Sequence, residues 1–439
     1  MTIFRARALD TPDDPFAGGV LRSGDDVALA VVDGTIIDRG VYADIYRDHP
    51  DHDVVDLRDG VLLPGFVDTH VHYPQVRAIG ALGMPLLEWL DRCALPEECR
   101  LASPDYARKV AAEFCFGLIS AGTTSALVFG SHFPSAVDIL FREATRLGLR
   151  ITSGLVVSDR GLPDDLLTTP QRAHDEAVDL AGSWHGVGRT RYAVTPRFSL
   201  SASEAILDAC GAVLDATPGA LFTSHVNENP AEVAAVAGLF PDCDGYVDTY
   251  DRHGLLKARS VLAHNVHATD PELAVLADRD TAVAHCPTSN AALGSGLFPL
   301  RRHVDAGVRV ALGSDVGAGT GFSLFKEGLQ AYFMQRLLAD AGLPLNSAHL
   351  LHLATRAGAL ALGLDDVGDF SVGRQFDAVL VRPRLGDPLD VCLRHAESPE
   401  DALGKIFALA GVSDLAGVWV GGSQLSGALR QARSGTPAG

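Results

Sequence analysis

Short apolar runs rich in valine, isoleucine and leucine recur along most of the chain, and stretches with helical spacing of apolar residues separate them. Such near-continuous apolar runs are typical of strands that are buried on both faces of a parallel sheet. The eight runs are Val61–Val71, Thr123–Gly130, Arg150–Ser158, Tyr192–Ser199, Leu221–Val226, Ser260–Val266, Thr281–Cys286 and Val308–Ser314. The segments predicted as helices include Ser135–Leu147, Ser203–Leu214, Pro230–Ala237 and Pro271–Ala277. Eight strand–helix units predict a closed (β/α)8 barrel.

A doubly wound open sheet is the main structural alternative for this pattern. That fold needs fewer strands and places a glycine-rich phosphate loop after the first one. No G-x-G-x-x-G or Walker-type sequence follows the run Val61–Val71. The pattern therefore favours a TIM-like α/β barrel.

The two ends of the chain predict a second, smaller domain. The segment ALAVVDGTIIDRG alternates between apolar and polar residues and turns at Asp33–Gly34, which indicates a hairpin. Near the other end, GRQFDAVLVRP and LAGVWVGGSQL predict two strands that follow the barrel. We expect residues 1–60 and 366–430 to form a small β-sandwich domain, and residues 61–365 to form the barrel with its trailing helices. Residues 431–439 are expected to be a frayed tail.

Composition narrows the class of partner. The 439 residues include 36 Lys and Arg against 55 Asp and Glu, a formal net charge of −19. A surface this acidic disfavours nucleic acid and anionic membranes but not a small neutral substrate. The seven cysteines are odd in number and contain no C-x-x-C spacing, which disfavours a disulfide framework and a thiolate zinc site. With no secretory signal and no membrane-length apolar run, we expect a cytoplasmic protein.

Polar side chains that can bind a metal end several of the predicted strands. His70 and His72 end the first strand, and residues two apart on a strand point to the same face. His225 ends the fifth strand and Asp315 the eighth, although Asp315 also fits a helix N-cap. Three imidazoles and a carboxylate suit zinc with an open position for water. The fourth strand contains no lysine to bridge a second metal, so we predict one metal ion.

Other polar residues at the strand ends are candidates for different roles. Glu228 lies just beyond the fifth strand, where it could shuttle a proton, although taken alone it also fits a solvated loop carboxylate. His264 ends the sixth strand. His285 is a further candidate at the end of the seventh strand, but we expect it to be a buried, hydrogen-bonded histidine with a structural role. His132, after the second strand, is equally ambiguous between a site residue and a structural one.

Several of these segments, in this order and spacing, resemble the amidohydrolase superfamily, and the resemblance covers nearly the whole chain. The segments are PGFVDTHVH, SHVNE, LAHN and LGSD. Longer blocks resemble the guanine deaminase family within it. They are THVHYPQ, PLLEWLDRCALPEE, TPRFSLSAS, SHVNENPAEV, HCPTSNAALGSG and LGSDVGAGTGFSLF.

The resemblance implies a role for each matching residue. The zinc ligands would be His70, His72, His225 and Asp315. Glu228 would shuttle the proton, and His264 would contact the substrate and stabilise charge on the attacked carbon. The residues lining a guanine pocket would be Gln75, Arg197 and Phe198. The family also implies a homodimer.

The chemistry of guanine agrees with these implied roles. The guanidinium fork of Arg197 matches the adjacent acceptors O6 and N7, although Arg197 also fits a structural ion pair, and Phe198 can pack on the purine ring. Gln75 offers both a donor and an acceptor for the N1 and N3 side. The expected reaction is hydrolysis of guanine to xanthine and ammonia by a zinc-bound hydroxide that attacks C2. Glu228 would protonate N3, and Asp315 would pass a proton to the leaving amine.

Three alternatives stay open at this point. The first is a deaminase of another purine or of a pterin, such as 8-oxoguanine, or a triazine hydrolase on the same fold. The second is a non-catalytic assembly protein, although such a relative would be expected to lose metal ligands that are present here. The third concerns the metal, because nitrogen and oxygen ligands accept iron as well as zinc.

Overall fold

The computed structural model describes residues 1–425, in which fifteen strands form two sheets. The predicted frayed tail, residues 431–439, and the last five residues of the predicted small domain lie outside the described residues. The strands are β1 (Thr2–Asp10), β2 (Arg22–Val32), β3 (Thr35–Val41), β4 (Asp53–Pro64), β5 (Phe66–His72), β6 (Thr123–Ser131), β7 (Arg150–Val157), β8 (Thr190–Pro196), β9 (Leu221–Val226), β10 (Ser260–His264), β11 (Ala282–His285), β12 (Val310–Leu312), β13 (Ala378–Val381), β14 (Leu415–Val420) and β15 (Ser423–Gln424).

Strands β5 to β12 pair in sequence order, all parallel, and form the predicted barrel. The circle closes between β5 and the chain just after β12. There the backbone N–H of Asp315 donates to the carbonyl of His70, and that of His72 donates to the carbonyl of Val316, both at 2.8 Å. Closure therefore places the two ends that carry predicted metal ligands side by side.

Helices connect the barrel strands, as the alternation of the sequence predicts. The helices are α1 (Tyr42–Asp48), α2 (Leu86–Trp89), α3 (Leu95–Cys99), α4 (Pro104–Ser120), α5 (Pro134–Leu147), α6 (Pro170–Trp184), α7 (Glu204–Ala216), α8 (Pro230–Leu239), α9 (Asp248–Asp251), α10 (Asp270–Asp278), α11 (Pro287–Ala292), α12 (Leu300–Asp305), α13 (Leu324–Leu337), α14 (Ser347–Ala354), α15 (Arg356–Ala361), α16 (Pro388–Arg394) and α17 (Pro399–Leu409). Helix α5 illustrates why they form: Val137, Leu140, Phe141 and Ala144 are buried at helical spacing, and Gly148 ends the helix in the left-handed conformation.

Alternate residues of the barrel strands pack on opposite sides. One set, which includes Val128, Val194 and Leu262, belongs to the large core shared with the surrounding helices. The other set combines alanines with a few valines and leucines, including Ala193, Ala263, Leu127 and Leu221, and packs with residues of α15 and the chain that follows it. Apolar side chains thus fill the barrel interior below the strand ends, so the polar residues at those ends form the floor of the site.

The chain ends form a single seven-stranded sheet in the order β15-β14-β13-β4-β1-β2-β3. Asp33 and Gly34 have positive φ angles of 49° and 83°, which confirms the predicted hairpin between β2 and β3. The prediction named a small β-sandwich, whereas the described strands form one continuous sheet. Strand β4 joins the two halves because it pairs with β1 on one side and β13 on the other.

The predicted strand Val61–Val71 is two strands in the structure. Its first residues belong to β4 of the small sheet, and the barrel strand β5 begins at Phe66. Gly65 lies between them, and a Cβ there would clash with the side chain of Thr124. The apolar run continues across the junction because both strands are buried, so its hydrophobicity alone could not reveal the change of sheet. In the same residues 1–425, no helix is long and apolar enough to cross a membrane.

Candidate active site

Three histidines converge where the predicted metal site was expected. His70 and His72 end β5, and their Nε2 atoms lie 3.1 Å apart. The Nε2 of His225, near the end of β9, lies 3.2 Å from that of His72. All three side chains are buried. The structure thus brings together the three imidazoles that the sequence placed on two separate strands.

Asp315 completes the cluster from the chain that follows β12. Its Oδ1 lies 3.3 Å from His70 Nε2 and 3.2 Å from His72 Nε2. Burial by itself would raise the pKa of Asp315, but the adjacent His70 and His72 outweigh it and hold this pKa well below its usual value. Asp315 is followed by turns, not by a helix, so the alternative of a helix N-cap does not apply.

The donor set fits a divalent metal ion. Triads drawn from His70, His72, His225, His264 and Asp315 place their ligand atoms within 4.8 Å of one another. The carbonyl of Arg197 lies 2.6 Å from Nδ1 of His225, which orients the ring with Nε2 toward the cluster. Metal-binding histidines characteristically hydrogen-bond through their second nitrogen in this way. Nitrogen and oxygen donors of this kind suit zinc or iron.

Glu228 and His264 face each other beside the cluster. Glu228 Oε2 lies 3.5 Å from His264 Nε2, and Glu228 Oε1 has no hydrogen-bond partner among residues 1–425. Burial, followed by repulsion from Glu232 and Asp315, raises the pKa of Glu228 well above its usual value. Burial also lowers the pKa of His264 to about 4. The pair therefore combines a carboxyl whose burial favours the protonated form with an imidazole whose burial favours the neutral form.

One cavity, with an empty volume of about 330 Å³, contains these groups. Its polar lining residues are His72, Gln75, Arg197, His225, Glu228, His264 and Asp315. Its apolar lining residues are Leu86, Trp89, Leu90, Phe198, Leu293 and Ala318. Largely apolar walls with a few convergent polar groups are typical of a small-molecule site. The two residues Arg197 and Phe198 follow β8 directly, which places them at the same end of the barrel as the metal-ligand cluster.

Residues 61–425 match the model of the Amidohydrolase family. This chain belongs to the amidohydrolase family. It is 60% identical over 429 residues to a probable guanine deaminase of Deinococcus radiodurans, covering 96% of this chain and 98% of the relative.

Solved structures of the same size superpose on this amidohydrolase. The E. coli guanine deaminase matches with a TM-score of 0.93 and 35% identity, over 97% of this chain and 99% of that one. A guanine deaminase from C. acetobutylicum, solved with guanine in its active site, matches with a TM-score of 0.89 and 26% identity. That match covers 96% of this chain and 99% of the other.

Glu98 in α3 was not predicted as a site residue, and neither were the five other apolar residues that line the cavity beside Phe198. The buried carboxylate of Glu98 accepts hydrogen bonds from Arg197 Nη1 at 2.6 Å and from Gln75 Nε2 at 2.8 Å. Glu98 therefore contacts two of the three residues expected to line the pocket. The adjacent Glu97 is chemically identical and bonds instead to Arg100 and Tyr106. Residue type and spacing could not distinguish the two carboxylates.

Two further histidines of this amidohydrolase are buried but lie outside the pocket lining. His132 Nδ1 lies 3.5 Å from Glu98 Oε2. His285 stacks on Phe298 with ring centroids 4.2 Å apart, and neither of its ring nitrogens has a hydrogen-bond partner among the described residues. The expectation that His285 is buried is confirmed, and its expected hydrogen bond is not formed with any side chain or backbone group of residues 1–425. Burial lowers the pKa of His285 to about 3, so its neutral ring packs as an apolar group.

Proposed function

We propose that this amidohydrolase is a guanine deaminase, which hydrolyses guanine to xanthine and ammonia. One observation carries the proposal: a single cavity brings Gln75, Arg197 and Phe198 against the histidine–aspartate cluster and the Glu228–His264 pair. Relatives that bear this activity in their names cover nearly the whole chain.

The proposed cofactor is one zinc ion per chain, with iron as the alternative. The residues that would hold it are His70, His72, His225 and Asp315. When bound, zinc lowers the pKa of a coordinated water and so supplies a nucleophile at neutral pH. Asp315 and residues that do not bind the metal then determine where protons move, and residues that do not bind the metal determine how the purine is oriented.

Two carboxyl groups are assigned the proton transfers. Glu228, whose pKa is raised by burial, donates a proton to ring nitrogen N3 as the C2–O bond forms. Asp315 directs Oδ1 toward His70 and His72, while its Oδ2 lies 3.8 Å from His264 Nε2. We assign to Asp315 Oδ2 the proton released by the attacking water, which then passes to the amine as the C2–N bond breaks. The remaining proton of the C2 hydroxyl leaves as the C2 carbonyl of xanthine forms and restores the proton of Glu228. His264 contacts the substrate and stabilises charge on the attacked carbon.

The remaining polar residues are assigned to purine recognition. Arg197 has five N–H donors, one of which points at Glu98, so others are free to bind O6 and N7 of guanine. Phe198 provides an aromatic surface for the ring. Gln75 is held by Glu98 and by the backbone N–H of Gly317, which donates to its Oε1 at 3.2 Å. The amide is therefore fixed before any purine enters.

A substrate panel tests this proposal against its alternatives. We expect kcat/KM for guanine to exceed the values for 8-oxoguanine, adenine, a pterin and a triazine. A better 8-oxoguanine or pterin substrate would keep the fold and the metal-ligand cluster but replace guanine. No turnover of any of these compounds by metal-loaded protein would favour the non-catalytic alternative, which the retained ligand set argues against.

The proposal includes a homodimer in the cytoplasm. All seven cysteines are unpaired, which agrees with a reducing compartment. Phe333 and Leu337 lie one turn apart on α13, with 46% and 73% of their surfaces exposed, and a symmetric contact could cover them. Light scattering on the purified protein tests the dimer, and a Leu337→Glu variant that leaves the mass unchanged would exclude this face as the contact.

A further inference from the structure

Glu98 is a buried carboxylate directly behind the polar wall of the pocket. It does not line the cavity, yet it contacts two residues that do. Within the described residues, it is the only carboxylate within 4 Å of the Arg197 guanidinium. Such an arrangement lets one side chain determine both the charge and the hydrogen-bonding pattern that a bound purine meets.

We propose that Glu98 is a positioning residue that makes the pocket select neutral purines over purine monoanions. It does so by balancing the charge of Arg197 and by fixing the amide of Gln75. The inference rests on the proposed function, because guanine is the neutral purine in question. The competing anion is xanthine, the product, which is more acidic than guanine and loses a proton near neutral pH.

The charges of Arg197 and Glu98 balance each other at the polar wall of the pocket. The side chains of Arg197 and Glu98 are only 3% and 4% exposed, so water screens this pair weakly. His132, the other titratable neighbour of Glu98, does not add a second cation, because burial lowers its pKa to about 4. With Glu98 ionised, the charge of the Arg197–Glu98 pair sums to zero. Without it, the uncompensated guanidinium would attract a purine anion.

Glu98 also helps to hold the side-chain amide of Gln75 in one orientation. The Nε2 of Gln75 donates to Glu98 and lies 3.2 Å from His72 Nδ1, and its Oε1 accepts from the N–H of Gly317. Rotating the amide by 180° would point oxygen at carboxylate and NH₂ at N–H, two repulsive contacts at once. The backbone of Gly317 lies against that of Gln75, because a Cβ at position 317 would collide with the backbone carbonyl of Gln75. Glu98 and the N–H of Gly317 therefore together fix which face of the amide a purine meets, and Glu98 is the side chain of the two.

The test compares Glu98→Gln with wild type, using guanine as substrate and xanthine as inhibitor. Glutamine keeps the size of the side chain but replaces one acceptor oxygen with a donor and removes the charge. We expect KM for guanine to rise roughly 10- to 100-fold, with a smaller change in kcat. We also expect the ratio of Ki for xanthine to KM for guanine to fall by about tenfold or more at a pH where xanthine is anionic.

Two further variants separate positioning from packing. Glu98→Asp keeps the charge but shortens the reach, so KM for guanine should rise while the xanthine-to-guanine ratio stays near wild type. Glu97→Gln makes the same chemical change one residue away, outside the site, and should leave both values unchanged. Melting temperature and metal content establish that each variant is folded. The Asp variant keeps the proposal testable if Glu98→Gln does not fold.

Two results would overturn the role of Glu98. One is an equal loss of affinity for guanine and xanthine in Glu98→Gln, which would indicate packing alone. The other is a shift of the ratio in Glu98→Asp as large as that expected for Glu98→Gln. A wild-type protein that does not convert guanine would instead contradict the proposed function, and this inference with it, so the two failures are distinguishable.

Discussion

At the scale of the residue, Glu228 illustrates how burial changes the chemistry of a common side chain. A surface glutamate is ionised at neutral pH, whereas this one is enclosed near Glu232 and Asp315, which raises its pKa. The same seclusion leaves Oε1 without a hydrogen-bond partner among the described residues. Glu228 is thus suited to hold a proton and deliver it to a substrate.

Glu228→Gln should therefore abolish proton delivery without removing a metal ligand. We expect kcat to fall on the order of 10²-fold or more, while the metal content stays at the wild-type level. Steady-state kinetics and elemental analysis on the same sample measure both. Glu113→Gln, on the exposed face of α4, is the matched control. Near wild-type turnover in Glu228→Gln would rule out its assigned role.

A second buried carboxyl, Glu327, predicts a pH dependence of stability. Burial raises the pKa of Glu327 to about 8 from 4.5. Between those values the folded protein keeps a proton that the unfolded chain releases. The free energy of unfolding should therefore fall as pH rises through this window, by up to about 1.4 kcal/mol per pH unit from this group.

Glu327→Gln should remove that contribution. Its amide can replace the protonated carboxyl, accepting from Thr288 N–H and donating to Thr288 Oγ1, which lie 2.9 Å and 2.7 Å from the carboxyl oxygens. Denaturant unfolding of both proteins at about pH 5 and about pH 8 measures the effect, and the variant should lose less stability with rising pH. An identical loss in both proteins would mean that Glu327 is ionised throughout.

Some residues of the site could be predicted from the sequence and others could not. The ligand cluster could be predicted because His70 and His72 are spaced for one strand face, and polar residues are conspicuous after apolar strands. The role of Glu98 could not be predicted, because it depends on Arg197, which lies 99 positions further along the chain. The missing hydrogen bonds of His285 were equally unpredictable, because a buried imidazole gives no sign of its partners.

At the scale of the element, the start of helix α8 positions the proposed proton donor. Asn229 caps the helix, and Glu232 accepts hydrogen bonds from the backbone N–H groups of Glu228 and Asn229 at 3.0 Å and 3.3 Å. Tyr246 donates its hydroxyl to the same glutamate. The capping box therefore stabilises the helix and fixes the backbone of Glu228.

Asn229→Ala should affect both stability and turnover. Losing the cap costs about 1 kcal/mol, which corresponds to a fall in melting temperature of about 2 °C for a large domain. We expect kcat to fall severalfold as well, because the adjacent Glu228 is held less firmly. Ser398→Ala removes the cap of α17, which lies away from the site, and serves as the control. It should lower the melting temperature similarly and leave kcat unchanged. Equal kcat values in the two variants would contradict the positioning role.

The predicted ends of a strand were correct in one case where polar loops bound it, and wrong where two buried strands adjoin. Strand β9 was predicted residue for residue as Leu221–Val226, since polar loops bound it on both sides. The run Val61–Val71 was predicted as one strand because apolarity continues from β4 into β5. Hydrophobicity reports burial, and it does not report which sheet a strand joins.

At the scale of the whole molecule, the barrel provides the site and the small sheet packs against it. Arg150 on β7 forms a buried ion pair with Asp377 beside β13, with Nε and Oδ2 2.7 Å apart. Asp377 also accepts from the N–H of Gly421 at 2.7 Å. The two sheets are thus tied together, so events in the barrel should be visible in the unfolding of the whole chain.

Metal removal should show this coupling. A ligand bound only by the folded state stabilises it, so stripping the metal with a chelator should lower the melting temperature and abolish turnover. Zinc should restore both, whereas magnesium, which prefers oxygen ligands, should restore neither. A chelated protein with unchanged melting temperature and turnover would contradict a metal site at the histidine–aspartate cluster.

The most direct test of the central claim is the stoichiometry of guanine hydrolysis by purified protein of known metal content. The account predicts one xanthine and one ammonia formed for each guanine consumed, by protein that holds about one metal ion per chain. Absence of xanthine and ammonia from metal-loaded protein would contradict it, whatever other substrates the cavity accepts.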